Sequence, residues 1–197
     1  MSESQVQPFD YIAEANSTLS NKFHGELVSF STFDDTLWKA IDALKALDAI
    51  KKTLYYGKEL PLHLQAGEIG TYKDCMGLPD WFKNQSFGET VIHGAIGAAT
   101  ESGEMLEAIY RVIVYAQTFD EVNAKEETGD AFWYLAVLAK SCGFSFEEAQ
   151  RVNIAKLRAK NGGRYANGFS EEAALNRDLL QERRILESDD DILGEDQ

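Results

Sequence analysis

The stretch ATESGEMLEAI, residues 99–109, places Glu101, Glu104 and Glu107 every third residue in a segment with helical spacing. At about 100° per residue, Met105, Leu106, Ile109, Val112, Ile113 and Ala116 gather on one face. Glu101 lies at the edge of that face, Glu104 further round and Glu107 nearly opposite, so Glu107 is expected in solvent. A lone E-x-x-E pair is ordinary decoration on an exposed helix. The next apolar stretch, EETGDAFWYLAVLAKSC (126–142), changes the odds. It is apolar almost all round, which predicts a buried helix. Yet Glu127 and Asp130 stand three residues apart on its first turns, with few basic residues near in sequence. Carboxylates buried there must be paired, neutralised or bound to metal.

The rest of the chain also reads as helix. Prolines occur only at 8, 61 and 79, and few stretches alternate as strands do. A short helix is expected over 9–20, followed by an irregular segment to 33. Asp34 or Asp35 can cap a helix over 36–56, whose Leu37, Ile41, Leu44, Leu47, Ile50 and Leu54 step by three and four. Gly57 suits its C-terminal cap, with Lys51, Lys52 and Lys58 near the negative end of the dipole. A long connector, 59–87, precedes helices over 88–117 and 123–142, the second ended by Gly143. Ser145-Phe-Glu-Glu148 has capping-box spacing for a helix over 146–160. KNGGRYANGF (160–169) is a turn, Ser170 can cap a polar helix to about 187, and the acidic end is frayed. The expected fold is all-α: a four-helix bundle with helical appendages at both ends. The expected divisions are an N-terminal helix and irregular segment (1–33), a catalytic domain (34–169) and a C-terminal helix and tail (170–197).

Composition narrows the function. The 197 residues carry 33 acidic and 19 basic side chains, a formal charge of −14. Such a surface repels phosphate backbones and argues against a nucleic-acid groove, though not against a small phosphorylated ligand at a local site. Cys75 and Cys142 are too few for a disulfide framework or thiolate metal site and are expected as buried, reduced thiols. No apolar run reaches membrane-spanning length and the N-terminus has no signal pattern, so a cytoplasmic protein is expected.

A short link joins the two acidic helices, which should therefore pack antiparallel. That link lies close to Glu127 but about four turns from Glu101, so a slanted crossing or a partner subunit is expected to bring the pairs together. If they meet, carboxylate oxygens without His or Cys favour Mg²⁺ or Mn²⁺. Gly94 and Gly97 imply close approach of a helix or a ligand, each mid-helix glycine costing about 1 kcal/mol relative to alanine. Asn153, Lys156, Arg158, Lys160 and Arg164 form a basic cluster, either a helix C-terminal turn or a phosphate clamp.

GAATESGEMLEAI, then EETGDAFWYLAVLA, then NIAKLRA together resemble the MazG-like all-α nucleoside triphosphate pyrophosphohydrolases, of the phage and bacterial type. LDAIKKTLYYGKEL (47–60) and FSEEAALNRDLLQERRILE (169–187) extend the resemblance over roughly 36–187. It implies a hydrolase cleaving a ribo- or deoxynucleoside triphosphate between the α and β phosphates to the monophosphate and pyrophosphate. It implies Mg²⁺, with Mn²⁺ as possible substitute, on Glu101, Glu104, Glu127 and Asp130. It also implies a homodimer or homotetramer. On this reading Glu104 takes the proton of the attacking water, Lys156 and Arg164 offset the leaving pyrophosphate, and Asn153 orients a phosphate or sugar. Lys51, Lys52, Tyr56 and His93 are candidates for the nucleotide pocket. The sequence departs from the common pattern in carrying Thr100 before Glu101, where a second glutamate often stands, and in the Gly/Asn residues before Arg164. Two related readings are phosphoribosyl-ATP pyrophosphohydrolase and a nucleotide- or alarmone-binding module without turnover.

Overall fold

The computed structural model describes residues 9–20, 23–65, 85–159 and 179–187. Among these the chain is all-α. The helices are α1 (Tyr11–Ser17), α2 (Phe30–Tyr56), α3 (Gln85–Tyr115), α4 (Glu121–Cys142), α5 (Phe146–Ala159) and α6 (Leu179–Glu187). Short 3-10 turns occupy Gly25–Leu27 and Leu62–Leu64. The chain divides into two compact units: Gly25–Gly143, holding α2, α3 and α4, and Met1–His24 with Phe144–Gln197, holding α1, α5 and α6. The turn expected over 160–169, Cys75 and most of the connector lie outside the described residues.

Local chemistry sets most helix ends. Ser29, not Asp34 or Asp35, caps α2, accepting a hydrogen bond from the Thr32 amide at 3.1 Å, so the helix starts about two turns earlier than its apolar stripe. Asp34 and Asp35 fall inside it because the added turns are largely exposed and leave no mark in the hydrophobic pattern. Gly57 ends α2 and Gly143 ends α4, both at left-handed φ, +66° and +81°, where a glycine carries no Cβ penalty. Ser145 and Glu148 form the reciprocal capping box of α5, each side chain bonding the other's amide at 3.1 Å.

In the first unit α3 is central, packed against α2 on one side and α4 on the other. Both neighbours run antiparallel to it. Ideal Cβ atoms on the α3 glycines show how closely they pack. One at Gly97 would lie 2.0 Å from the Tyr134 ring, one at Gly94 2.9 Å from the Tyr134 carbonyl, and one at Gly103 2.8 Å from Leu44 Cβ. The glycines therefore admit neighbouring helices. Gly97→Ala forces the Tyr134 ring out of its seat, and overpacking of this kind costs about 1–3 kcal/mol. The expected loss of stability is measurable by denaturant unfolding.

The packing corrects two expectations of burial. α4 is not covered all round: Phe132 and Trp133 are 58% and 55% exposed, because α4 turns one side to α3 and the opposite side opens outward in this chain. Cys142 is an exposed free thiol at the last turn of α4 rather than a buried one. In the second unit, α1 packs on α5: Glu14 pairs with Arg158, and the Tyr11 hydroxyl reaches Asn153 Oδ1 at 3.5 Å.

Candidate functional site

The α3–α4 register assembles the acidic residues. With Gly97 opposite Tyr134 and Met105 opposite Thr128, Glu101 falls level with Asp130 and Glu104 level with Glu127. Equal three-residue spacing on antiparallel helices makes the two pairs meet. The expected obstacle, a link too far from Glu101, disappears because residues 116–120 run back along the end of α3. Gln117 and Thr118 line the same groove as Glu104 and Ala108. The meeting needs neither a slanted crossing nor a second subunit.

Glu101, Glu127 and Asp130 each place a carboxylate oxygen within 4.8 Å of the others. Glu101 and Glu127 are buried, and Asp130 is exposed at the mouth. Glu104 stands outside this triad, on the rim. It borders one groove of about 280 Å³ with Lys45, Asp48 and Thr100, and another of about 320 Å³ with Arg111, Asn123 and Glu127. Burial pushes Glu127 up to about 7, helped by the charges of Glu104 and Glu101. Burial also raises Glu104, followed by the charges of Glu101 and Asp48. Like charges this close favour binding of a divalent cation, and a donor set of carboxylate oxygens suits hard Mg²⁺ or Mn²⁺.

Opposite the triad, α2 supplies residues that sequence reasoning did not join to it. Lys51 is 2% exposed. Its Nζ donates to Thr100 Oγ1 at 2.8 Å and Glu101 Oε1 at 2.9 Å, lies 3.1 Å from Asp48 Oδ1, and sits 4.6 Å from the Tyr134 ring centroid. Burial pulls the ammonium down, but its bond to Glu101 and the nearby Asp48 and Tyr134 outweigh it and hold Lys51 above the usual lysine range. Asp48 also pairs with Lys52. Burial raises Asp48, yet the two lysines outweigh it and hold the carboxyl below its ordinary value. The available signal was the line Ile41, Leu44, Asp48, Lys51, Tyr55, a helical stripe that turns polar midway.

The other predicted residues are distributed as follows. Tyr56 bonds the hydroxyl of Tyr134 at 3.2 Å and approaches His93 at 3.4 Å. The His93 ring stacks on Tyr55 at 3.9 Å, with Tyr56, Trp133 and Tyr134 at its edges. Burial, then the Lys51 charge, holds His93 below its usual value. Glu107 is not the solvated residue expected: it binds Lys45 at 2.7 Å and Arg111 at 2.8 Å, because α2 packs over that side of α3. Asn153 and Lys156 lie on α5, in the other unit, and Arg164 lies outside the described residues.

No helix is long and apolar enough to cross a membrane among the described residues. No curated protein and no solved structure matches the chain. The family comparison covers most of α3, all of α4 and α5 and the residues just after: residues 95–163 match the model of the MazG nucleotide pyrophosphohydrolase domain.

Proposed function

We propose that the chain is a Mg²⁺-dependent nucleoside triphosphate pyrophosphohydrolase, cleaving ribo- or deoxynucleoside triphosphates between the α and β phosphates to the monophosphate and pyrophosphate. The observation that supports it best is the convergence of Glu101, Glu127 and Asp130 within 4.8 Å, inside the stretch that matches the family. These three are the first ligands for Mg²⁺, with Mn²⁺ as substitute, and Glu104 on the rim is the nearest further carboxylate. Bound there, the ion supplies Lewis-acid polarisation of the phosphoryl group and neutralises triphosphate charge. Glu104 takes the proton of the water that attacks phosphorus in line. Its raised pKa brings its basicity closer to the working pH, as a general base requires.

Lys52, paired with Asp48, and Tyr56 and His93, beside Tyr134, are the residues we assign to the nucleotide. The role of Asn153, Lys156 and Arg164 at the phosphates, with Lys156 as a catalytic cation, rests on the resemblance alone. A homodimer or homotetramer fits the apolar side chains exposed on α4 and α3: Trp133, Ile109 and Ile113 are 55%, 40% and 43% exposed.

The test is product analysis with each ribo- and deoxynucleoside triphosphate, with Mg²⁺ and with EDTA. Monophosphate plus pyrophosphate formed only with metal is the expected result. Diphosphate plus orthophosphate, or equal turnover in EDTA, overturns it. Metal-dependent binding of a nucleotide without turnover would point instead to a sensing module.

A further inference from the structure

Lys51 is placed unusually for a lysine. Its ammonium donates to Thr100 Oγ1 at 2.8 Å and Glu101 Oε1 at 2.9 Å, and lies 3.1 Å from Asp48 Oδ1 as an ion pair without hydrogen-bond geometry. The Tyr134 ring covers a further side. The group is almost wholly shielded from water, so its position is fixed by these partners rather than by solvent. Thr100 is itself tied down, donating its hydroxyl hydrogen to the Gly97 carbonyl at 2.9 Å. One of the oxygens that Lys51 holds belongs to Glu101, a member of the acidic triad. The same carboxylate thus contacts a fixed internal cation and belongs to the candidate metal cluster.

We propose that Lys51 is an internal counter-ion that competes with the divalent cation for Glu101. It lets the acidic cluster fold without metal and thereby sets a weaker, readily reversible metal affinity. This inference rests on the metal-site reading above. The physical basis is charge balance. Removing one partner of a buried ion pair leaves the other uncompensated, which is strongly destabilising. In the metal-free protein without the Lys51 charge, Glu101 would bear that cost, whereas Asp48 keeps its pair with Lys52. A bound divalent ion relieves it, so the ion must bind the variant more tightly. Lys51 acts through Glu101, and is a positioning residue rather than a catalytic one.

The test is Mn²⁺ binding by electron paramagnetic resonance on the full chain without nucleotide, with thermal melting with and without Mn²⁺. Glu127→Gln serves in each background to show that the ion counted is the one at the triad. Lys51→Met, close in size and uncharged, is expected to bind Mn²⁺ roughly ten-fold or more tighter than wild type. It is also expected to gain more melting temperature from the ion, to the point of folding only in its presence. Lys51→Arg keeps the charge and is expected to stay near wild type. Asp48→Asn, which leaves Lys51 more fully committed to Glu101, is expected to bind several-fold more weakly, and remains readable if Lys51→Met does not fold at all. Unchanged or weaker binding in Lys51→Met, or unchanged binding in Asp48→Asn, overturns the proposal. Wild type that binds no Mn²⁺ at the triad overturns it together with the metal site. Absence of pyrophosphohydrolase activity with these affinities intact overturns only the proposed reaction.

Discussion

Glu104→Gln is expected to lower kcat by about 10²–10⁴-fold while the fold and Mn²⁺ binding stay close to wild type. The substitution keeps the shape and a hydrogen-bonding oxygen, and removes the negative charge together with the ability to accept a proton. Glu104 lies outside the triad of Glu101, Glu127 and Asp130, which limits the consequence for the ion. It lies on the rim of both grooves. The pH profile carries the sign. Burial and the neighbouring charges of Glu101 and Asp48 raise its pKa, and a base must be unprotonated to act. Wild-type turnover should therefore fall on the acid side at a pH above the ordinary glutamate value. The residual activity of Glu104→Gln should lack that limb. If Mn²⁺ affinity collapses together with kcat, Glu104 is a ligand first and its role as base is lost.

The acidic residues were legible in the sequence because both pairs keep a three-residue spacing, and such spacing on two helices points to one shared site. Their meeting was harder to read. It depends on residues 116–120 folding back along α3, where Ala116 takes a positive φ of 51° and the Gln117 amide bonds the Arg111 carbonyl at 3.3 Å. That geometry has no periodic signature. Glu107 was misplaced for a related reason: its helix alone shows an apolar face and an opposite face, but not that α2 brings Lys45 over the latter.

Lys51 shows the limit of hydrophobic patterning most clearly. The apolar residues of α2 draw a stripe through Leu47, Ile50 and Leu54, yet Leu54 is 45% exposed while Lys51 is among the most buried side chains described. A lysine reads as solvent-facing until its partners on another helix are known. Trp133 shows the converse. Apolar character marks a side chain that tends to leave water, but not which neighbour covers it, and in this chain the outer side of α4 remains open.

The largest stability effect is expected at Glu127. An isolated glutamate ionises near 4.5, whereas burial and the charges of Glu104 and Glu101 hold folded Glu127 protonated up to about 7. Between those values the folded state binds more protons than the unfolded one, so this group's contribution to stability is lost as pH rises from about 4.5 to about 7. The shift corresponds to a ceiling of about 3 kcal/mol. His93 works in the opposite direction: its folded pKa is lowered, so its contribution improves as pH rises to its unfolded value. The difference between wild type and Glu127→Gln cancels the histidine and isolates the glutamate. In metal-free protein, Glu127→Gln should gain on wild type by several degrees of melting temperature between pH 5 and pH 8. Mg²⁺ reverses the sign, because it binds the ionised carboxylate and displaces the proton. Its stabilisation of wild type should be larger at pH 8 than at pH 5.5 and should vanish in Glu127→Gln. Parallel melting curves for the two proteins across this range, with or without Mg²⁺, would place Glu127 in ordinary solvent contact and remove the electrostatic case for the metal site.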